Sequence, residues 1–144
     1  MGPVAKIVVR YLDGRVVKGY IQHFNPDGSR LHLRATPTGA SQEMRAALEM
    51  EDLKAIFFVR TLDGNPHCRA RREFIEGDKS YGDRVEVTFG DGEVIRGSKI
   101  DPYPYRSGFF LLPPDPKGNT VMTFVVSTAV KDISYFPAAQ TSAA

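Results

Sequence analysis

The chain has 144 residues, enough for one domain or two very small ones. Hydrophobic residues make up 42% and charged residues 25%, a globular composition that excludes collagen, coiled coil or disorder for the bulk of the chain. A net charge of +2 is too mild for wholesale capture of nucleic acid or membrane, and a single cysteine, Cys68, allows neither an internal disulfide nor a cysteine-based zinc site.

The opening residues Met1 to Lys6 lack the apolar stretch of a signal peptide. No apolar run approaches the roughly 18 to 20 residues of a membrane span. The expectation is a soluble cytoplasmic protein with no membrane partner. Ile7, Val9 and Tyr11 then alternate with other residues, the period of a strand. Asp13-Gly14 supplies a tight hairpin, and the return strand starts at Val16. Gly19 lies inside that strand, where glycine marks a bulge, a bend or a close backbone approach. A turn follows at Asn25-Pro26-Asp27-Gly28, then a third strand at Leu31-His32-Leu33. Residues 42–50 contain strong helix formers, yet Met44, Ala46, Leu48 and Met50 also alternate. A last strand runs Ile56-Phe57-Phe58-Val59.

The pattern then repeats. Val85, Val87 and Phe89 lead into Asp91-Gly92, at an offset of 78 from Ile7, Val9, Tyr11 and Asp13-Gly14, and Gly97 falls on Gly19. Leu53-Lys54-Ala55-Ile56 matches Val130-Lys131-Asp132-Ile133 at an offset of 77. Where residues 42–50 are ambiguous, the second copy has Val121-Met122-Thr123-Phe124-Val125-Val126, and the repeat decides for strand. The reading is all-β: two tandem five-stranded units over 4–59 and 82–137, a joint over 60–81, and a frayed tail over 138–144. Both interior glycines are expected at bent or bulged strand positions, as a small barrel needs to close.

The run Ile7 to Gly14, then Gly19-Tyr20-Ile21-Gln22-His23-Phe24-Asn25, then Arg30-Leu31-His32-Leu33, resembles the strand pattern of Sm-like proteins, which are small Src-homology-3-type barrels. The resemblance covers both copies and implies two tandem Sm-like barrels. The duplicated arrangement also resembles an uncharacterised bacterial domain associated with signalling proteins, some of them carrying PilZ domains; that likeness implies no activity. The RNA-contacting Sm positions depart from the pattern, with Arg30 and Gly108 in place of asparagine, so uridine binding does not follow from the likeness.

Two groups of residues are candidate sites. The joint is the most basic stretch: Arg60, Arg69, Arg71 and Arg72 stand against Asp63 and Glu73 over 60–74. A guanidinium cluster suits phosphate, because each fork binds two oxygens. Around a proline-rich loop, Tyr103, Tyr105, Phe109 and Phe110 gather with Arg106, a set that can anchor a protein partner or stack bases. Enzyme signatures are absent: His23, His32 and His67 lack ligand spacing, and there is no P-loop or nucleophile elbow. The functional expectation is a non-catalytic binding or interaction module with no cofactor and no metal. Its expected partner is another protein, in a bacterial signalling or regulatory setting, and a homo-oligomer is compatible with this. The alternative is binding of nucleic acid or a nucleotide, cyclic dinucleotides included, through the joint.

Overall fold

The computed structural model describes residues 4–35, 44–62, 83–100, 105–114 and 117–135. The first half contributes strands β1 (Ala5–Tyr11), β2 (Val16–Ile21), β3 (Arg30–Ala35), β4 (Met44–Glu49) and β5 (Leu53–Val59), with a 3-10 turn at Met50–Asp52 before the last. The second half repeats that order with β6 (Asp83–Phe89), β7 (Val94–Lys99), β8 (Gly108–Leu112), β9 (Thr120–Val126) and β10 (Val130–Tyr135), and a 3-10 turn at Ser127–Ala129. Met44 to Glu49 is a strand, so the pattern of alternation prevails over helix propensity there.

The two hairpin turns match closely. Gly14 and Gly92 have φ of 95° and 94°, a region that only glycine enters without strain. In each turn the aspartate carboxylate accepts a backbone N–H two residues on: Arg15 to Asp13 and Glu93 to Asp91, both at 2.9 Å. The interior glycines serve another purpose. A Cβ on Gly19 would overlap the Arg34 carbonyl oxygen, and one on Gly97 would stand 2.7 Å from the Leu112 carbonyl oxygen. Close approach of neighbouring strands, rather than a positive φ, is what these positions require.

The strands do not form two separate closed barrels. They lie in one continuous ten-stranded sheet, ordered β10-β6-β7-β8-β9-β5-β1-β2-β3-β4, with every neighbouring pair antiparallel. The sheet is open: β5 pairs with β9 of the other half, from Ala55↔Val125 through Ile56↔Phe124 to Val59↔Thr120. The physical reason is in the composition of these two strands. Ile56 and Phe124 face one core with Ile7, Val9, Leu31 and Leu53, while Ala55 and Val125 face a second core with Val85, Val87, Phe89 and Leu111. Strands apolar on both faces must be covered on both faces, which is the situation of a central strand. The apolar end of β5 meets the other half directly, with Phe57, Phe58 and Val59 opposite Thr123, Met122 and Thr120, whereas the end of β10 takes no part in this seam. Tyr135 lies on the outer strand β10, 53% exposed, and Phe136 is outside the described residues.

The outer strands are the polar counterparts of the central pair. Asp132 in β10 stands where β5 has Ala55, and Ala47 and Glu49 in β4 stand where β9 has Phe124 and Val126. Charged residues on outer strands discourage further strand addition.

A buried cation also joins the halves. Lys54 of β5 has its side chain 8% exposed and bonds Asp91 at 2.6 Å as well as Glu93, both in the turn between β6 and β7. Burial works against its charged form, but the bonds to the two carboxylates outweigh it and raise its pKa. The Lys54 hydrogen bond, with the Glu93 N–H, lowers that of Asp91. The sign of each follows from linkage: the raised lysine contributes fully below its unfolded value of 10.5 and loses that contribution at higher pH, while the depressed aspartate contributes above 3.8 and loses it on acidification. Lys54→Met, which keeps an unbranched apolar side chain but removes the ammonium that bonds the two carboxylates and lies 4.9 Å from the centre of the Phe89 ring, is expected to cost about 1 to 2 kcal/mol at neutral pH. The gap in melting temperature between wild type and variant should narrow below pH 3.8; a gap independent of pH would refute the clamp.

Candidate functional site, a cationic cleft on the first half

The third strand alternates strictly. Leu31 and Leu33 are buried, while Arg30, His32 and Arg34 face outward. Its register with β4 then decides which charges meet. Arg30 stands opposite Glu49 and forms an ion pair at 2.9 Å, but Arg34 stands directly opposite Arg45. Like charges facing each other across a ladder destabilise a sheet unless something neutralises them. Among the described residues no carboxylate pairs with either arginine. The register extends the row: Arg34 is opposite Tyr20 of β2, and Tyr20 is opposite Lys6 of β1. Four strands thus carry Lys6, Tyr20, Arg34 and Arg45 in line on one face, about 14 Å from end to end at ordinary strand spacing.

Beside this row the sheet parts. Strands β2 and β3 pair only at Gly19↔Ala35 and Tyr20↔Arg34. Past those rungs the chain is drawn toward the second half: the Asp27 carboxylate accepts the Arg106 N–H at 2.8 Å, the Pro26 carbonyl accepts the Ser107 N–H at 3.1 Å, and the Gly28 carbonyl accepts the Ser107 hydroxyl at 2.5 Å. The separation leaves a cleft of about 740 Å³. Arg34, Arg45, His32, His23, Gln22 and Tyr20 supply its polar wall, and Ile21, Leu33, Ala46 and Val4 its apolar part. That volume is within the range of small-molecule sites, and an apolar floor with a few convergent polar groups is their usual make-up.

The residues expected to form sites are distributed differently. Arg69, Arg71, Arg72 and Tyr103 lie outside the described residues. Arg60 is in the described part, where its guanidinium donates to the Gly118 carbonyl and its N–H to the Asn119 carbonyl at 2.9 Å, tying the end of β5 to the turn before β9. Tyr105 and Phe110 are half-buried and stack edge-on at 5.6 Å. Phe110 packs on the first core and Phe109 on the second, so the pair straddles the junction. Arg106 is exposed beside them. Missing from the expected set were His32, Arg34 and Arg45. Arg30, His32 and Arg34 could have been placed on one outward face from strand alternation alone; that Arg45 opposes Arg34 depends on a register that spacing does not define.

Among the described residues no group of three or more histidine, cysteine, aspartate or glutamate side chains could hold a metal ion. No described helix is long and apolar enough to cross a membrane. The model of a family of unknown function, DUF6982, matches residues 4–136. No curated protein and no solved structure matches the chain.

Proposed function

Because the chain belongs to DUF6982, a family of unknown function, we propose from the site itself that it is a non-catalytic binding module for anionic, phosphate-bearing ligands, working through the outer face of β2 to β4. The observation that carries this is the opposition of Arg34 and Arg45 in the lining of the cleft, with no described carboxylate paired to either. A sheet keeps two like charges face to face at a cost in stability, and a bound anion removes that cost. Two guanidinium forks suit a phosphate, which offers several oxygens and up to two charges. Each half is read as an opened small barrel of Sm type. The order of strands within each half and the matching hairpins support that reading. A protein partner at Tyr105 and Phe110 has less support, since their rings are engaged within the junction.

Fluorescence anisotropy with a short labelled single-stranded oligonucleotide as the polyanion tests the proposal. Wild type should bind at about 50 mM salt and weaken roughly ten- to twentyfold by 200 mM, the response of about three phosphate contacts. Arg34→Glu with Arg45→Glu should abolish binding, while Arg69→Glu with Arg71→Glu in the joint should leave most of it. Binding that survives the first pair and is lost with the second would return the site to the joint.

A further inference from the structure

The ladders of the two halves allow the ligand of this cleft to be described more closely, an inference that rests on the anion-binding reading above. In the first half His32 faces Ala47 across β3 and β4, two rungs from the pair Arg30↔Glu49 that opens the ladder. In the second half Phe110 faces Phe124 across β8 and β9, two rungs from the opening pair Gly108↔Val126. The flanking positions correspond as well. Tyr20↔Arg34 in the first half matches Ser98↔Leu112 in the second, and Arg45 falls on Met122.

In the second half this position is occupied from within the chain. The ring of Phe24, from the first half, lies edge-on to Phe124 at 4.8 Å and to Phe110 at 5.8 Å. Phe58 of β5, opposite Met122, completes the cluster. Among the described residues no aromatic ring covers the matching place in the first half. Strand β4 is the last of the sheet, and the corresponding place is the open cleft, with His32 where Phe110 would be and arginines where Leu112 and Met122 would be. The same backbone position therefore takes an aromatic ring in one half and presents a flat imidazole with two guanidinium groups in the other.

We infer that the cleft binds a nucleoside phosphate: its base occupies against His32 the place that Phe24 occupies against Phe110, and its phosphates lie on Arg34 and Arg45. The cationic row alone would accept any anion. The ring site selects one that carries a flat aromatic body, and an acidic peptide or a bare polyphosphate lacks it.

Calorimetric titration of the full chain with ATP and with tripolyphosphate, matched in charge, separates the two parts. ATP is expected to bind at least about tenfold more tightly than tripolyphosphate, the factor that one stacked base supplies. His32→Ala should bring ATP down to the tripolyphosphate level without changing tripolyphosphate binding, and His32→Phe should restore the difference. Arg34→Glu with Arg45→Glu should remove both ligands. Equal affinity of wild type for ATP and tripolyphosphate would overturn the ring site and leave the anion-binding reading intact. Binding of the oligonucleotide but of neither small ligand would also overturn it. Failure to bind any of the three would remove both readings.

Discussion

Phe124→Ala is expected to destabilise the chain by about 3 to 5 kcal/mol, the cost of deleting a fully buried aromatic ring. That is a large fraction of the stability of an ordinary domain. The ring belongs to the first core and stacks on Phe24 and Phe110, while its neighbour Val125 belongs to the second core and pairs with Ala55. Loss of Phe124 therefore weakens the seam itself, and the two halves should still unfold together. Urea denaturation followed by circular dichroism and by tyrosine fluorescence, the chain having no tryptophan, should give one coincident transition at a lower midpoint. Val121→Ala, on the same strand but 47% exposed, should change stability by no more than about 0.5 kcal/mol. Two separated transitions in the wild type would show that the seam does not couple the halves.

Gly108→Ala should cost about 3 kcal/mol or more. A Cβ there would overlap the carbonyl oxygen of Val125, and the obstacle is strand backbone, which cannot turn aside as a side chain can. Gly19→Ala meets the same kind of obstacle at Arg34 and should fall in the same class, with Gly97→Ala, at 2.7 Å from Leu112, somewhat milder. Gly14→Ala provides the contrast. Nothing lies within 4 Å of a Cβ at that turn, so its expected cost of about 1 to 2 kcal/mol is that of the left-handed backbone alone. The measured order of melting temperatures distinguishes packing from backbone strain. If Gly14→Ala proved the most damaging of the four, the close strand approach would not be the reason for the interior glycines.

Much of this architecture is legible in the sequence. The alternation of Ile7, Val9 and Tyr11, and of Val85, Val87 and Phe89, placed each set on a buried face, because side chains of a strand point to opposite sides in turn. Asp13-Gly14 and Asp91-Gly92 announced their hairpins through the one residue type that takes a positive φ freely. The second copy resolved residues 42–50, where helix propensity and alternation disagreed. These are local properties, set within a few residues along the chain.

Which strands would meet was not local. Ala55 to Val59 and Phe124 to Val126 are apolar without alternation, a sign that both faces would be covered, yet a closed barrel and a shared seam both satisfy that sign. The choice fell to the partners available on each side: Val125 with Ala55 in one core, Phe124 with Ile56 in the other, against Asp132 and Ala47 at the ends of the sheet. The site followed the same rule. Alternation alone put Arg30, His32 and Arg34 on one outward face. Only the register of β3 with β4 gave Arg30 a carboxylate and set Arg34 against another arginine, and a shift of one residue would have sent Arg45 to the opposite face of the sheet.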